Sequence, residues 1–259
     1  MRLYLDIGNT RCKWVLEDDN ADVAFKKIGS VVYKKDGWSQ LDQLSGVAST
    51  LTAIWASCVA SDEVRLLIDS WAEREFNLTV NWLKVVSQQC GVDNTYEDLS
   101  QLGIDRWAAV LGAKQYLLEN DYEGSVAIVV DAGTAVTVDV LSHNLNFQGG
   151  AILPGLKMMH DALVGRTEGI VSSLVTEMPL PGKNTLQCVN SGVHYGLFGA
   201  IERIVAEIQF TLNVSSSKLV LLLTGGDAEL IQQNSRLEFV VLPGLVIDGL
   251  KCVANAGDF

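Results

Sequence analysis

Val126-Ala-Ile-Val-Val-Asp131-Ala-Gly133-Thr134-Ala-Val-Thr-Val-Asp139-Val-Leu141 decides how this chain is read. An apolar run ends in Asp131, a Gly133-Thr134 turn follows, and a second β-branched run leads away. The pattern predicts a buried strand, a tight turn and a second strand, with a carboxylate at the mouth of the hairpin. Gly133 lets backbone approach a ligand, and the neighbouring amides and the Thr134 hydroxyl can donate to an anion. Asp131 repels a bare phosphate, but it can hold a cation that a phosphate also touches.

The same layout occurs at the N-terminus. Leu5-Asp6-Ile7-Gly8-Asn9-Thr10-Arg11-Cys12-Lys13-Trp14-Val15-Leu16 also runs apolar residues, Asp, one apolar residue, Gly, a short polar residue and a strand. One such turn is an ordinary hairpin. Two copies, each opening a half of the chain, predict a duplicated architecture. The expectation is two similar α/β domains, residues 1–120 and 121–259, with a phosphate loop from each facing across a nucleotide cleft.

The remaining chain fits strands alternating with helices. Strands are expected at Arg2–Asp6, Cys12–Leu16, Val23–Ile28, Ala53–Ser57, Val80–Val86, Asn146–Ile152, Leu219–Leu223 and, at a sheet edge, Phe239–Leu242. Helices are expected at Trp38–Val47, Asp62–Glu75, Asp105–Leu118, Leu156–Val164, Thr185–Leu212 and Leu245–Ala254, with another after Asp227. Val64, Leu67, Ile68 and Trp71 fall on one face of the second of these. Gly192 and Gly196 would let the long fifth helix approach a neighbour.

The 259 residues are 48% hydrophobic and 19% charged, enough apolar material for a sizeable core. A net charge of −12 argues against nucleic acid as a main partner, since a phosphate backbone wants a basic face. It leaves a nucleotide open, because that needs only local positive groups. The cysteines (Cys12, Cys58, Cys90, Cys188, Cys252) are odd in number and contain no C-x-x-C pair, so neither a disulfide framework nor a zinc site is indicated. They suit small core residues in a reducing cytoplasm. No signal peptide precedes the first strand, and the longest apolar runs are too short to span a bilayer. His143, His160 and His194 show no metal-ligand spacing.

Four constellations carry chemistry. Gly8, with Asn9 and Thr10 as neutral donors, could wrap a phosphate; Lys13 either adds charge there or points to solvent. Gly103-Ile104-Asp105-Arg106 follows a polar loop and opens a helix. Asp105 could serve only as a helix cap. With Arg106 beside it, it could also take a proton from a substrate hydroxyl while the guanidinium fixes the substrate's own anion. Gly149-Gly150-Ala-Ile-Leu-Pro154-Gly155-Leu156 and Thr224-Gly225-Gly226-Asp227 each end a strand and open a helix, so each either meets a ligand or turns a corner.

In this order and over nearly the whole chain, these motifs resemble the type III pantothenate kinases of bacteria, also known as Bvg accessory factor proteins. The resemblance implies an actin-like, sugar-kinase-like ATPase with duplicated ribonuclease-H-like domains, ATP-dependent phosphorylation of pantothenate, and the first step of coenzyme A synthesis. It implies that Asp6, Ile7, Gly8, Asn9, Thr10, Arg11, Cys12 and Lys13 form the ATP phosphate loop, with Mg2+ arriving on ATP, and that Thr134 touches ATP. Asp105 is implied as the base. Tyr96, Gly103, Ile104, Asp105 and Arg106 are implied to line the pantothenate site, with Thr185 reaching it from the neighbouring subunit of a homodimer. Asp131 is implied to hold a monovalent cation, K+ or NH4+. Two alternatives stand beside this: a kinase or phosphatase of the same superfamily acting on another substrate, and a non-catalytic accessory protein retaining the nucleotide fold. Asp139, the next acid along the second hairpin, is expected to face away from the cleft.

Overall fold

In the computed structural model, residues 1–18, 25–38, 41, 44, 46 and 50–257 are described. They fall into two compact units, residues 1–116 with 244–259, and residues 117–243.

The first unit is built on one sheet. β1 (Arg2–Ile7) is its middle strand and is buried along most of its length. It pairs antiparallel with β2 (Cys12–Asp18), which pairs antiparallel with β3 (Phe25–Val31). On its other side β1 runs parallel to β4 (Ala53–Cys58), and β4 parallel to β5 (Val80–Trp82). The order is β3-β2-β1-β4-β5. A short helix, α1 (Tyr33–Asp36), follows β3, and α2 (Asp62–Phe76) crosses from β4 to β5. α2 carries Asp62 and Glu63 in its first turn, where the helix dipole favours negative charge, and ends at Asn77 in the left-handed region. Its Ile68, Trp71 and Ala72 join Leu3, Leu5, Ile7, Ile54 and Ala56 in one core. Leu67, expected on that face, is 42% exposed instead, because the buried stripe runs through Ile68, Trp71, Ala72 and Phe76. The strand expected to reach Val86 stops at Trp82. Most of the helix expected at Trp38–Val47 lies outside the described residues.

Beyond β5 come the hairpin β6 (Gln88–Gln89) and β7 (Val92–Asn94), a 3-10 turn at Leu99–Gln101, and α3 (Ile104–Glu119).

The second unit repeats the first. β8 (Val126–Ala132) pairs antiparallel with β9 (Ala135–Leu141), and β9 with β10 (Asn146–Pro154). β8 is parallel to β11 (Leu219–Gly225), and β11 to β12 (Val240–Val241), an edge strand. The order β12-β11-β8-β9-β10 is that of the first sheet, strand for strand and direction for direction. This is the ribonuclease-H-like pattern, duplicated as the sequence expectation has it. α4 (Leu156–Gly165) and α5 (Thr185–Thr211) follow β10, and α6 (Ala228–Asn234) links β11 to β12. Val189, Val193, Leu197, Ile201 and Val205 of α5 pack with Ile128, Val130, Val136, Val138 and Leu223 of the sheet. The N-cap Asn184 accepts from the Gln187 amide at 2.9 Å.

The last helix, α7 (Leu245–Ala256), belongs to the first unit and packs on β1 and β4. It crosses α3 at two glycines. A Cβ on Gly249 would run into the Ala108 carbonyl, and one on Gly112 into the Leu245 carbonyl. Lys251 bonds Glu17 at 2.7 Å and lies over the Tyr4 ring, and Arg2 donates to the Asn255 side chain at 2.6 Å. Among the described residues no helix is long and apolar enough to cross a membrane.

Candidate active site

The two Asp-x-Gly turns close their hairpins in related ways. In the first, the Gly8 amide donates to the Arg11 carbonyl at 2.9 Å; in the second, the Gly133 amide donates to the Ala135 carbonyl at 3.0 Å. The first loop is one residue longer, because Ile7 faces Cys12 while Ala132 faces Val136. The residue-for-residue match in sequence therefore slips by one after the glycines. Neither glycine is demanded by the fold. A Cβ on Gly8 would come no nearer than 3.4 Å to the Arg11 oxygen, and one on Gly133 no nearer than 3.6 Å to the Ala135 oxygen. Neither has positive φ.

Each Asp sits between two polar neighbours on the adjoining strands. Asp6 is flanked by Lys13 on β2 and Ser57 on β4. Asp131 is flanked in the same way by Thr137 on β9 and Thr224 on β11. Side chains in register on neighbouring strands share a face. Asp139 lies on that face too, diagonal to Asp131, since Val138 and Val130 point into the α5 core and their neighbours point the other way. Asp139 is 1% exposed. The two sites differ in one respect: Asp6 has an ammonium beside it, and Asp131 has a hydroxyl.

Burial pushes the Asp6 carboxyl up to about 6; Lys13 opposes the rise, Asp105 adds to it, and a long 3.5 Å hydrogen bond from Ser57 opposes it weakly. Residues 99 positions apart in sequence, one ending β1 and one opening α3, lie within electrostatic reach.

At the start of α3, Tyr96 lies against the segment Gly103 to Arg106. Asp105 Oδ1 accepts from the Arg106 amide at 2.8 Å, folding the carboxylate back over the helix N-terminus. A Cβ on Gly103 would stand 2.7 Å from that oxygen, so only glycine leaves the carboxylate this position. Arg106 is buried, with its guanidinium 5.7 Å from the centre of the Tyr96 ring. Ile104 is buried beneath them.

In the second unit, the Gly155 amide donates to the Thr134 carbonyl at 3.1 Å, and a Cβ on Gly155 would meet the Thr134 oxygen at 2.6 Å. The Gly149–Leu156 motif is therefore a support for the Thr134 turn. Thr224-Gly225-Gly226-Asp227 also packs there. Gly225 has a φ of +100°, and the Asp227 amide donates to the Ala132 carbonyl at 3.0 Å. Burial raises the Asp227 carboxyl while buried His194 opposes the rise. His194 Nδ1 lies 2.7 Å from the Asn190 carbonyl, so that nitrogen carries the proton and donates. Thr185 is the exposed first residue of α5. Among the described residues no group of three or more His, Cys, Asp or Glu side chains comes together as a metal centre.

Sequence reading missed several residues that shape these loops. Ser57 carried no signal beyond its place in an apolar strand. Tyr33 donates to the Gly8 carbonyl at 2.7 Å from a segment with no motif. Asn190, fully buried in α5, pins the preceding loop by accepting from Val175 N and donating to the Ser173 carbonyl.

The sequence model of the family described as Type III pantothenate kinase matches residues 2–207. A type III pantothenate kinase from Alkalilimnicola ehrlichii is 32% identical over 253 residues, 98% of this chain and 97% of that protein. One from Leptothrix cholodnii is 36% identical over 260 residues, 98% and 96% of the two chains. Among solved structures, the activator of the 2-hydroxyisocaproyl-CoA dehydratase from Clostridium difficile, with bound ADPNP, superposes with a TM-score of 0.50 at 12% identity, covering 99% of this chain and 96% of that one. That likeness concerns the fold alone. With the family's model and full-length relatives matched across the duplicated sheets and their Asp-x-Gly turns, this chain belongs to the type III pantothenate kinase family.

Proposed function

We propose that this chain transfers the γ-phosphoryl group of ATP to the primary hydroxyl of pantothenate, the first step of coenzyme A synthesis, in the cytoplasm. The observation that carries the proposal is the Asp105 carboxylate, held by the Arg106 backbone amide and within electrostatic reach of Asp6, in a chain whose full-length relatives are named for that activity. Phosphoryl transfer asks a protein for positioning and charge stabilisation more than for covalent chemistry. Asp105 is the general base that accepts the hydroxyl proton as the acceptor oxygen attacks. Tyr96, Gly103, Ile104 and Arg106 hold pantothenate, with Arg106 set to meet its carboxylate.

The loop Asp6 to Lys13 takes the ATP phosphates, and Thr134 touches the same nucleotide. That the fold itself does not require Gly8 or Gly133 supports this reading, since the space left where a Cβ would stand suits a phosphate approaching backbone amides. Magnesium enters with ATP and supplies charge neutralisation. Asp131 holds a monovalent cation, K+ or NH4+. Its neighbours Thr137 and Thr224 are oxygen donors, and oxygen suits a hard cation. The cation there does what Lys13 does beside Asp6. The retained acids Asp6, Asp105 and Asp131 weigh against a non-catalytic accessory role.

The chain acts as a homodimer in which Thr185 of each subunit completes the pantothenate site of the other. An open stripe on α5 supports association: Gly192 and Gly199 have nothing over them within 4 Å, and Tyr195 between them is 47% exposed. Met158 and Leu163 of α4 add exposed apolar surface.

The test is ADP release from Mg-ATP with and without pantothenate, in potassium or in sodium. Release that requires pantothenate and is faster in potassium is expected. Folded protein that releases no ADP with pantothenate in either salt contradicts the proposal.

A further inference from the structure

Tyr33 sits outside every motif of the chain, yet its hydroxyl reaches the loop between β1 and β2. It donates to the Gly8 carbonyl at 2.7 Å. Its ring is buried and stacks on Trp38 with centroids 4.3 Å apart and planes 12° from parallel. The residue is held from both sides, because α1 begins two residues after Val31, and Val31 pairs with Cys12 at the far end of the same loop. Burial, with Cys58 and Cys12 nearby, keeps the phenol above its ordinary range, so the hydroxyl stays protonated and is the donor.

The consequence follows from peptide geometry. The Gly8 carbonyl and the Asn9 amide belong to one planar trans unit and point in opposite directions. When Tyr33 draws the Gly8 carbonyl inward, the Asn9 N–H turns outward, to the side where Asn9 and Thr10 are exposed. The Gly8 amide is already committed to Arg11. The Asn9 amide is thus the first backbone donor of the loop that can meet an anion, and its direction is set from behind.

We propose that Tyr33 is a positioning residue for nucleotide phosphate binding, orienting the Gly8–Asn9 peptide so that the Asn9 amide faces a phosphate oxygen of the nucleotide. The inference rests on the reading of Asp6 to Lys13 as the phosphate loop. Tyr33 does not touch the nucleotide. It removes the freedom of one peptide plane to rotate, and it satisfies a carbonyl that would otherwise compete for its own partner.

The experiment compares Tyr33→Phe with Gly8→Ala and the unaltered chain. Phenylalanine keeps the stack on Trp38 and loses only the hydroxyl. Inhibition constants for Mg-ADP and for adenosine are measured, together with KM for ATP and for pantothenate. Tyr33→Phe is expected to weaken Mg-ADP and to raise KM for ATP by about tenfold, the loss of one hydrogen bond to a buried carbonyl. Adenosine inhibition and KM for pantothenate should stay as they were, which a general loosening of the fold would not allow. If Tyr33→Phe binds Mg-ADP normally while Gly8→Ala does not, the loop is a phosphate loop and the role of Tyr33 is overturned. If both variants bind Mg-ADP normally, the phosphate-loop reading fails and takes this inference with it. Equal weakening of ADP, adenosine and pantothenate by Tyr33→Phe also overturns it.

Discussion

Asp6 carries its proton to higher pH than a free aspartate, because burial and the neighbouring Asp105 outweigh the attraction of Lys13. The unfolded carboxyl has a model value of 3.8 and the folded one about 6. Below pH 3.8 both states are protonated and Asp6 has no effect on stability. Between the two values the folded state binds more protons, so stability falls as pH rises, and above pH 6 the whole cost of the buried charge is present. Asp6→Asn removes that cost. Without nucleotide, its melting temperature should exceed that of the unaltered chain at pH 8, with the difference vanishing toward pH 4. A constant difference across the range, measured by differential scanning, would show that Asp6 is not buried against Asp105. The carboxylate itself was plain in the sequence, since it closes an apolar run ahead of a glycine. Its environment was not. Ser57 looks like any small strand residue, and nothing local in the chain tells Asp6 that Asp105 will stand beside it. Tyr33 was likewise invisible, because a tyrosine after a strand has no spacing that announces its acceptor.

Hairpins and helices set the next scale. The duplicated hairpins place a polar trio across three strands in each unit, Lys13-Asp6-Ser57 in one and Thr137-Asp131-Thr224 in the other. The trios differ in whether the chain supplies its own cation. If Asp131 holds the proposed monovalent cation, Thr137→Lys should place an ammonium beside Asp131 as Lys13 stands beside Asp6, and turnover should lose most of its dependence on potassium. Turnover of Thr137→Lys that still rises in potassium as the unaltered chain's does would deny the equivalence. The apolar runs on either side of each Asp-x-Gly turn made both hairpins legible. The one-residue slip between the loops was not legible, because register depends on which backbone groups pair across the turn. That Asp139 shares a sheet face with Asp131 was not legible for the same reason. Its face follows from pairing with Val129 and not from its distance to the turn. The last helix was expected from the sequence but not its partners, which proved to be β1, β4 and α3.

For the whole molecule, the sequence pointed to two copies of one fold, and β12-β11-β8-β9-β10 repeat the five strands of the first sheet. Association between copies of the chain is a matter of exposed surface, which periodicity does not report. If Thr185 serves the partner's site, mixing two inactive variants must rescue activity. A heterodimer of Asp105→Asn with Thr185→Ala subunits has one site with both residues intact. Co-expressed variants should regain a substantial fraction of turnover, whereas activity no greater than the sum of the separate variants would mean that each site is made within one chain. The central claim is that Asp105 accepts the proton from the pantothenate hydroxyl. Its most direct test is the rate of phosphopantothenate formation by Asp105→Asn in a single turnover with saturating Mg-ATP and pantothenate. A loss on the order of 100-fold to 10,000-fold is expected, with nucleotide affinity and melting temperature little changed. Formation of product at the unaltered rate would contradict it.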